Sequence, residues 1–370
     1  MRSGSTAKLY VTTATEPHRY EFHTQLHAID VNTGADFTAP VEINPSVKPS
    51  DGTTLKFDPQ NQWSRAGIAY ANGAIYLGIG SHCDNNPNAI SGWILKYGTD
   101  LQAQGAFHTI QTPHGYQLAS VWMTGFAPAI DSSGNIWVVT GNGDFNPLGS
   151  DWGESVLKLS PMLKVLGSFS PSNVQGLNDG DTDFGSGGIM LLPHVLGQTG
   201  PDVGVAVGKS GVFYMINQKM PGGVGDNRAV QALPVGGGVW GGPAYYNGAS
   251  GPTVFEQGDG GLLNAFGVAP DRPQFVTKAT GAVNAGYGGS LPIVSSNGAT
   301  PGTGIVWLIR RSNPLTLEAY DAEKLGAPIY SVGSGYWPNP SGNGFLTPME
   351  ANGRVYVPAY ARVQVYGLTR

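Results

Sequence analysis

The chain is nearly without cysteine, poor in charge, and free of long apolar runs. A single cysteine, Cys83, excludes an intrachain disulfide and a multi-cysteine metal site. Only 12% of the 370 residues are charged, the net charge is −5, and Lys and Arg form no cluster. A nucleic-acid footprint needs such a cluster, so nucleic acid is not an expected partner. No stretch approaches the roughly 18 apolar residues of a membrane helix, so no membrane span is expected. The start, MRSGSTAKLY, has no apolar core of a signal peptide, and residues 1–7 read as a tag or disordered start. Sustained helical periodicity is scarce as well, which turns attention to strands.

What is abundant is punctuation. There are 56 glycines and 27 prolines, without a collagen-like period, and they fall between short apolar runs. In GIAYANGAIYLGIGSHCDNN (67–86), an Asn-Gly turn separates two strand-like runs. That is a hairpin signal. The hairpin recurs, beginning at Ala69, Pro128, Pro193, Pro243, Pro292 and Pro348, so units begin 49 to 65 residues apart. A third strand follows each one: 92–102, 154–164, 211–220, 262–268, 317–325 and 363–368. A fourth follows some of them, as at 105–110, 165–170 and 327–332. The N-terminal residues 8–16, 25–34 and 40–44 read as strands two to four of a unit without its first.

A four-stranded unit repeated in this way specifies an all-β chain. It predicts a β-propeller of four-stranded antiparallel blades over residues 8–370 as one domain. Six hairpins and the partial first unit give seven blades. The alternative is an eight-bladed propeller truncated at the N-terminus. The unpaired edge of the first blade makes the chain a monomer or an edge-mediated dimer.

Three stretches carry a family resemblance. QLHAIDVNTGA (25–35) resembles the A-x-D-x-x-T-G blade motif of quinoprotein-type propellers, in which Asp and Thr cap a turn closed by glycine. GSHCDNNP with GWILKY, and APAIDSSGNIWVVTGNGDFN with WGESVLKLSP, are similar to a bacterial and fungal group of PQQ-like repeat proteins. The resemblance implies a quinoprotein alcohol dehydrogenase-like propeller and an extracytoplasmic, secreted setting. The low lysine and high Asn, Thr and Gly content agrees with an exported surface. Quinoprotein alcohol dehydrogenases carry a vicinal disulfide over the cofactor, which one cysteine forbids, so PQQ is not an expected cofactor.

Propeller geometry places the loop into strand A and the B–C loop of each blade on one face. That face would gather Gln62, Trp63 and Arg65, then His82 and Asp84, then Trp122, Asn142, Asp144 and Asp183. Lys209, Trp240 and Arg310 would follow. A concave mouth with aromatics and convergent charge is the expected ligand site. His82, Asp84, Arg65 and Asp144 are the candidate catalytic set, with His82 as general base. Gln62, Trp63, Trp122, Asn142, Asp183, Lys209, Trp240 and Arg310 are candidate ligand contacts. Asp84, Asp144 and Asp183 could converge on Ca²⁺, an oxygen-seeking ion. The expected function is binding of a small molecule or glycan. The alternative is an enzyme using the same pocket: a hydrolase or lyase on an ester, phosphoester or glycan, or a quinone-dependent oxidoreductase.

Overall fold

The computed structural model describes residues 2–3, 6–49, 52–112, 116–194, 198–269, 273–339 and 346–367. The fold is a seven-bladed β-propeller of mostly four-stranded antiparallel sheets. The chain divides into two compact units, Met1–Gly185 and Ser186–Arg370. The first holds blades 1 to 3 and the second blades 4 to 7.

Local chemistry explains the repeated hairpin. In blade 2, Ala69–Ala71 pairs with Ala74–Ser81, with Ala71 opposite Ala74. The two residues between them, Asn72 and Gly73, have φ of 51° and 76°. A two-residue turn of that hand matches the twist of the strands, and Asn-Gly reaches it at least cost. Trp93–Gly98 and Ala103–His108 complete the blade. In blade 3, Ala129–Ile130, Ile136–Val139, Val156–Leu159 and Val165–Ser170 lie in that order. Its first turn is held by Asp131 Oδ1, which accepts from the N–H groups of Ser133 and Asn135.

Blade 1 is built on Thr6–His18 paired with Glu21–Asp30 and then Val41–Glu42. The Asp-x-x-Thr-Gly turn forms as expected. Gly34 donates to the Asp30 carbonyl at 2.7 Å and has φ of 74°. The position before the first long strand, expected to be empty, carries a two-residue strand, Arg2–Ser3, paired with Thr6 and Ala7.

In the second unit, Ile189–Leu191, Val203–Ala206, Val212–Asn217 and Gln231–Pro234 form blade 4. Its first strand precedes Pro193, whereas the sequence reading began the hairpin there. Proline lacks the N–H a ladder needs and falls in the connection instead. Blade 5 ends in a ten-residue fourth strand, Phe275–Asn284, and blade 6 in Tyr330–Gly333. Blade 7 has three strands, Met349–Ala351, Arg354–Ala359 and Arg362–Gly367.

Each unit has its own apolar core. In the first, Leu26, Ile75, Leu77, Ile79, Trp93 and Leu95 form one buried cluster. In the second, Phe213, Met215, Val254 and Phe266 pack together, and Leu263, Val306, Leu308 and Tyr320 form a further group. The first unit also departs from pure β structure: a six-residue helix, Val174–Asp179, follows blade 3.

Candidate functional site

The first unit brings several of the expected residues together. The chain entering blade 2 pairs with the end of its second strand, Gln62 opposite Ser81 and Trp63 opposite Gly80. Residues 80 and 82 share a strand face. Trp63 therefore reaches His82, and the rings stack with centroids 3.5 Å apart and an interplanar angle of 17°. Gly80 on that face admits the buried Trp122 edge. A Cβ there would lie 2.2 Å from Trp122 Cδ1. Trp63 is 40% exposed and forms an open aromatic surface. Gln62 is buried and turned inward: Oε1 accepts from Asp58 N at 2.7 Å, and Nε2 donates to the Ser91 carbonyl.

Charge gathers next to this stack. Asp84 has φ of 48° and accepts a hydrogen bond from the Ser81 hydroxyl. The Arg65 guanidinium lies over the Trp122 ring at 5.8 Å. Partial desolvation lowers the Arg65 pKa, and electrostatic interaction with nearby Asp183, Asp84 and Cys83 opposes that shift. Arginine stays charged throughout. His82 is held by stacking. No other described side chain fixes its imidazole by a hydrogen bond, so the orienting partner of a general base is absent among the described residues.

Beyond blade 3, two loops lock onto one another. Asn142 N donates to Asp183 Oδ1 at 2.8 Å, and Asn142 Nδ2 donates to Asp181 Oδ1 at 3.0 Å. Asn178, on the short helix, clamps the next residue from both sides. Its Oδ1 accepts from Gly143 N, and its Nδ2 donates to Gly143 O, each at 3.0 Å. Gly143 has to be glycine. A Cβ there would stand 2.1 Å from Ala119 N. Buried Glu154 supports the same region by accepting from Phe184 N at 2.6 Å.

This scaffold frames an open cleft of about 530 Å³, lined by Tyr116, Gly143, Asp144, Phe145, Val174, Gln175, Asn178 and Asp179. Tyr116, one of the lining residues, is 41% exposed. Burial pushes its phenol up to about 12, with further push from Asp84, Asp183, Asp181 and Glu154. Sequence reading did not assign Tyr116, Asn178, Asp179 or Glu154 to the site. Among the described residues no group of three or more His, Cys, Asp or Glu is placed to hold a metal ion. Cys83 is free and exposed. These residues do not fit a quinone–metal pair under a vicinal disulfide.

The remaining candidates lie in the second unit. Lys209 stands over the Trp240 ring at 5.7 Å, and Tyr287 meets that ring edge-on at 4.3 Å. Asp259 Oδ1 accepts from Gly288 N at 2.8 Å, and buried Arg311 donates to the Tyr287 carbonyl. Arg310 is spent inside blade 6. Its Nε donates to Glu318 Oε1 at 2.8 Å, and Tyr320 donates to the other carboxylate oxygen at 2.7 Å.

No protein-family model matches the chain, and no curated protein matches it. Solved structures do. BamB from Moraxella catarrhalis aligns with a TM-score of 0.51 at 13% identity, over 93% of this chain and 80% of that one. The quinohemoprotein alcohol dehydrogenase ADHIIG from Pseudomonas putida HK5 gives 0.54 at 13% identity, over 95% of this chain and 60% of that one. Raptor from Chaetomium thermophilum gives 0.51 at 9% identity, over 98% of this chain and 28% of that one. The likeness is one of fold. It includes PQQ-type propellers, as the blade motifs implied, and it extends to a protein of another kind, so it selects no activity.

Proposed function

We propose that the protein is a ligand-binding PQQ-like propeller whose first unit takes a hydroxylated small molecule, a saccharide in particular, in the cleft beside Tyr116. One observation carries this reading: the open cleft pairs an exposed aromatic face, Tyr116, with the planar polar side chains of Gln175, Asn178, Asp144 and Asp179. A sugar offers an apolar ring face for stacking and a girdle of hydroxyls for amide and carboxylate partners. The stacked Trp63–His82 pair, with Arg65 and Asp84, extends the polar and aromatic surface of the same unit. Binding rather than chemistry is proposed because His82 has no orienting partner among the described residues. An extracytoplasmic setting belongs to the same proposal and rests on the resemblance of the blade motifs to quinoprotein-type propellers, with which the low lysine and high Asn, Thr and Gly content agrees.

The test is calorimetric titration of a panel of neutral and charged oligosaccharides into the wild type, Tyr116→Ala and Asp179→Asn. Saccharide binding weakened by both substitutions supports the proposal. Absence of saccharide binding, or binding indifferent to both changes, overturns it. Ester, phosphoester and glycoside hydrolysis and dye-linked alcohol oxidation are followed in parallel. Turnover lost in His82→Ala would replace binding with catalysis.

A further inference from the structure

The second unit holds a small cavity whose polar side chains are donors. It measures about 10 Å³, room for one guest of about the size of a water molecule. Its side-chain walls are Ser290, Arg311 and the aliphatic Leu291, Ile309 and Leu346, and glycines complete them. Chain order places the cavity where three blades begin. Ser290 and Leu291 precede Ile293–Ser295, the first strand of blade 6. Gly241 precedes that of blade 5, Ala244–Gly248, and Leu346 that of blade 7, Met349–Ala351.

Ser290 is 5% exposed, and its hydroxyl has no hydrogen-bond partner among the described residues. Its backbone is fixed, with N donating to the Gln257 carbonyl at 3.1 Å, so the side chain keeps its place on the wall. Native folds rarely leave a buried hydroxyl unpaired. Arg311 is 7% exposed and donates to the Tyr287 carbonyl. Desolvation lowers its pKa, with Asp259 and Tyr287 opposing, and the guanidinium stays charged. Gly288 is on the same wall. A Cβ there would run into Arg311 Nη2 and lie 2.6 Å from Trp240 Cε3, so glycine lets the guanidinium approach.

The chemistry of the guest follows. The guanidinium offers N–H groups and no acceptor, the hydroxyl offers an O–H, and the other lining side chains carry no polar atom. A cation would meet a fixed positive charge. A water molecule would find only the Ser290 oxygen, among these side chains, to take its hydrogens. An anion without hydrogens matches the donors, and the volume limits it to little more than one atom.

We propose that this cavity binds a single halide ion, chloride in particular, between the Ser290 hydroxyl and the Arg311 guanidinium. The ion ties together the loops that enter blades 5, 6 and 7. The site lies in the second unit and does not rest on the saccharide reading of the first.

The test is calorimetric melting of the full chain at constant ionic strength, with sodium chloride or bromide replacing sodium gluconate, whose anion is too large for the cavity. Chloride and bromide are expected to raise the melting temperature along a saturable curve. Ser290→Ala removes one hydrogen bond to a charged group and should raise the half-saturating chloride concentration about tenfold. General salt effects act on both proteins alike and cancel in that comparison. A halide effect equal in the wild type and Ser290→Ala, or a melting temperature indifferent to the anion, overturns the proposal and leaves the cavity to water. An effect that follows the cation, when calcium replaces sodium at fixed chloride, overturns it in favour of a metal ion. Wild-type crystals soaked in bromide should show an anomalous peak within hydrogen-bond reach of Ser290 Oγ. Its absence at saturating bromide overturns the proposal however the variant folds.

Discussion

Asn142 and Asp183 are joined by one hydrogen bond, the Asn142 backbone N–H to Asp183 Oδ1 at 2.8 Å, across 41 positions of sequence. Asp183 is fully buried. Its Oδ1 would also stand 2.5 Å from a Cβ at residue 141, so glycine there lets the carboxylate approach. The bond fixes the loop that carries Gly143 and Asp144 into the cleft. Asp183→Ala should cost about 2–3 kcal/mol, because it strands a buried N–H. Asp183→Asn keeps an acceptor of the same shape and should cost less. Urea denaturation ranks the two variants, and equal losses would contradict the role given to that bond.

Gly80→Ala tests the aromatic end of the same unit. Its Cβ would meet Trp122 Cδ1 at 2.2 Å and Nε1 at 2.6 Å. Trp122 is 8% exposed and cannot swing freely. Overpacking of this kind costs about 1–3 kcal/mol. The displaced indole would also disturb the Arg65 guanidinium that lies over it. The expected result is a lower melting temperature with altered tryptophan fluorescence. Gly73→Ala, at a turn glycine with open space around it but φ of 76°, should lower stability without that spectral change.

Glu256 sets an alkaline limit. It is fully buried, Oε2 accepts from Asn264 at 3.2 Å, and Oε1 has no hydrogen-bond partner among the described residues. Burial raises its carboxyl from 4.5 to about 8, with the Asn264 bond opposing. The folded state thus holds a proton that the unfolded state releases near pH 4.5. Stability is full below that pH and declines as pH rises through about 8. Glu256→Gln keeps the acceptor for Asn264 and carries no charge. It should match the wild type near pH 4 and exceed it by pH 9 in thermal melts. A variant whose stability falls in parallel with the wild type would locate the alkaline loss elsewhere.

The architecture was legible because its determinants are local. Asn72-Gly73, Asp30 with Gly34, and proline before Ala129, Ala244, Ile293 and Met349 each act within a few residues of one hairpin. Pro193 misled because the proline signal there marks the connection after a strand rather than its start. The fourth strands Gln231–Pro234 and Phe275–Asn284 escaped because edge strands are half exposed and show weak periodicity.

The site was legible only in part. Asn142, Asp144 and Asp183 stand in loops whose direction follows from the blade pattern. Tyr116 and Asn178 stand in irregular insertions, where no period predicts direction. One signal was available: the two widest intervals between hairpin starts, Ala69 to Pro128 and Pro128 to Pro193, contain the segments that line the cleft. Gln62 shows the opposite failure. It lies in the expected loop, yet its amide is consumed by Asp58 and Ser91. Sequence gives a loop's position but not which side chains the loop spends on itself.

His108 sets the acid limit. It stands opposite Trp93 in the blade-2 ladder, packs edge-on against that indole at 4.4 Å, and donates from Nδ1 to the Ile110 carbonyl at 2.5 Å. Burial lowers its pKa from 6.5 to about 4, against smaller opposing effects of the Ile110 bond and Asp151. The unfolded chain therefore takes up a proton that the folded state refuses. The stabilisation is present above pH 6.5 and is lost as pH falls to about 4, on the order of 3 kcal/mol when complete. His108→Gln retains an N–H donor for Ile110 and cannot titrate. Its stability relative to the wild type should improve steadily from pH 6.5 down to 4, whatever its offset at neutral pH. Denaturant midpoints at half-unit pH intervals measure that difference. A constant offset across the window would show that His108 is not the group that weakens the fold in acid.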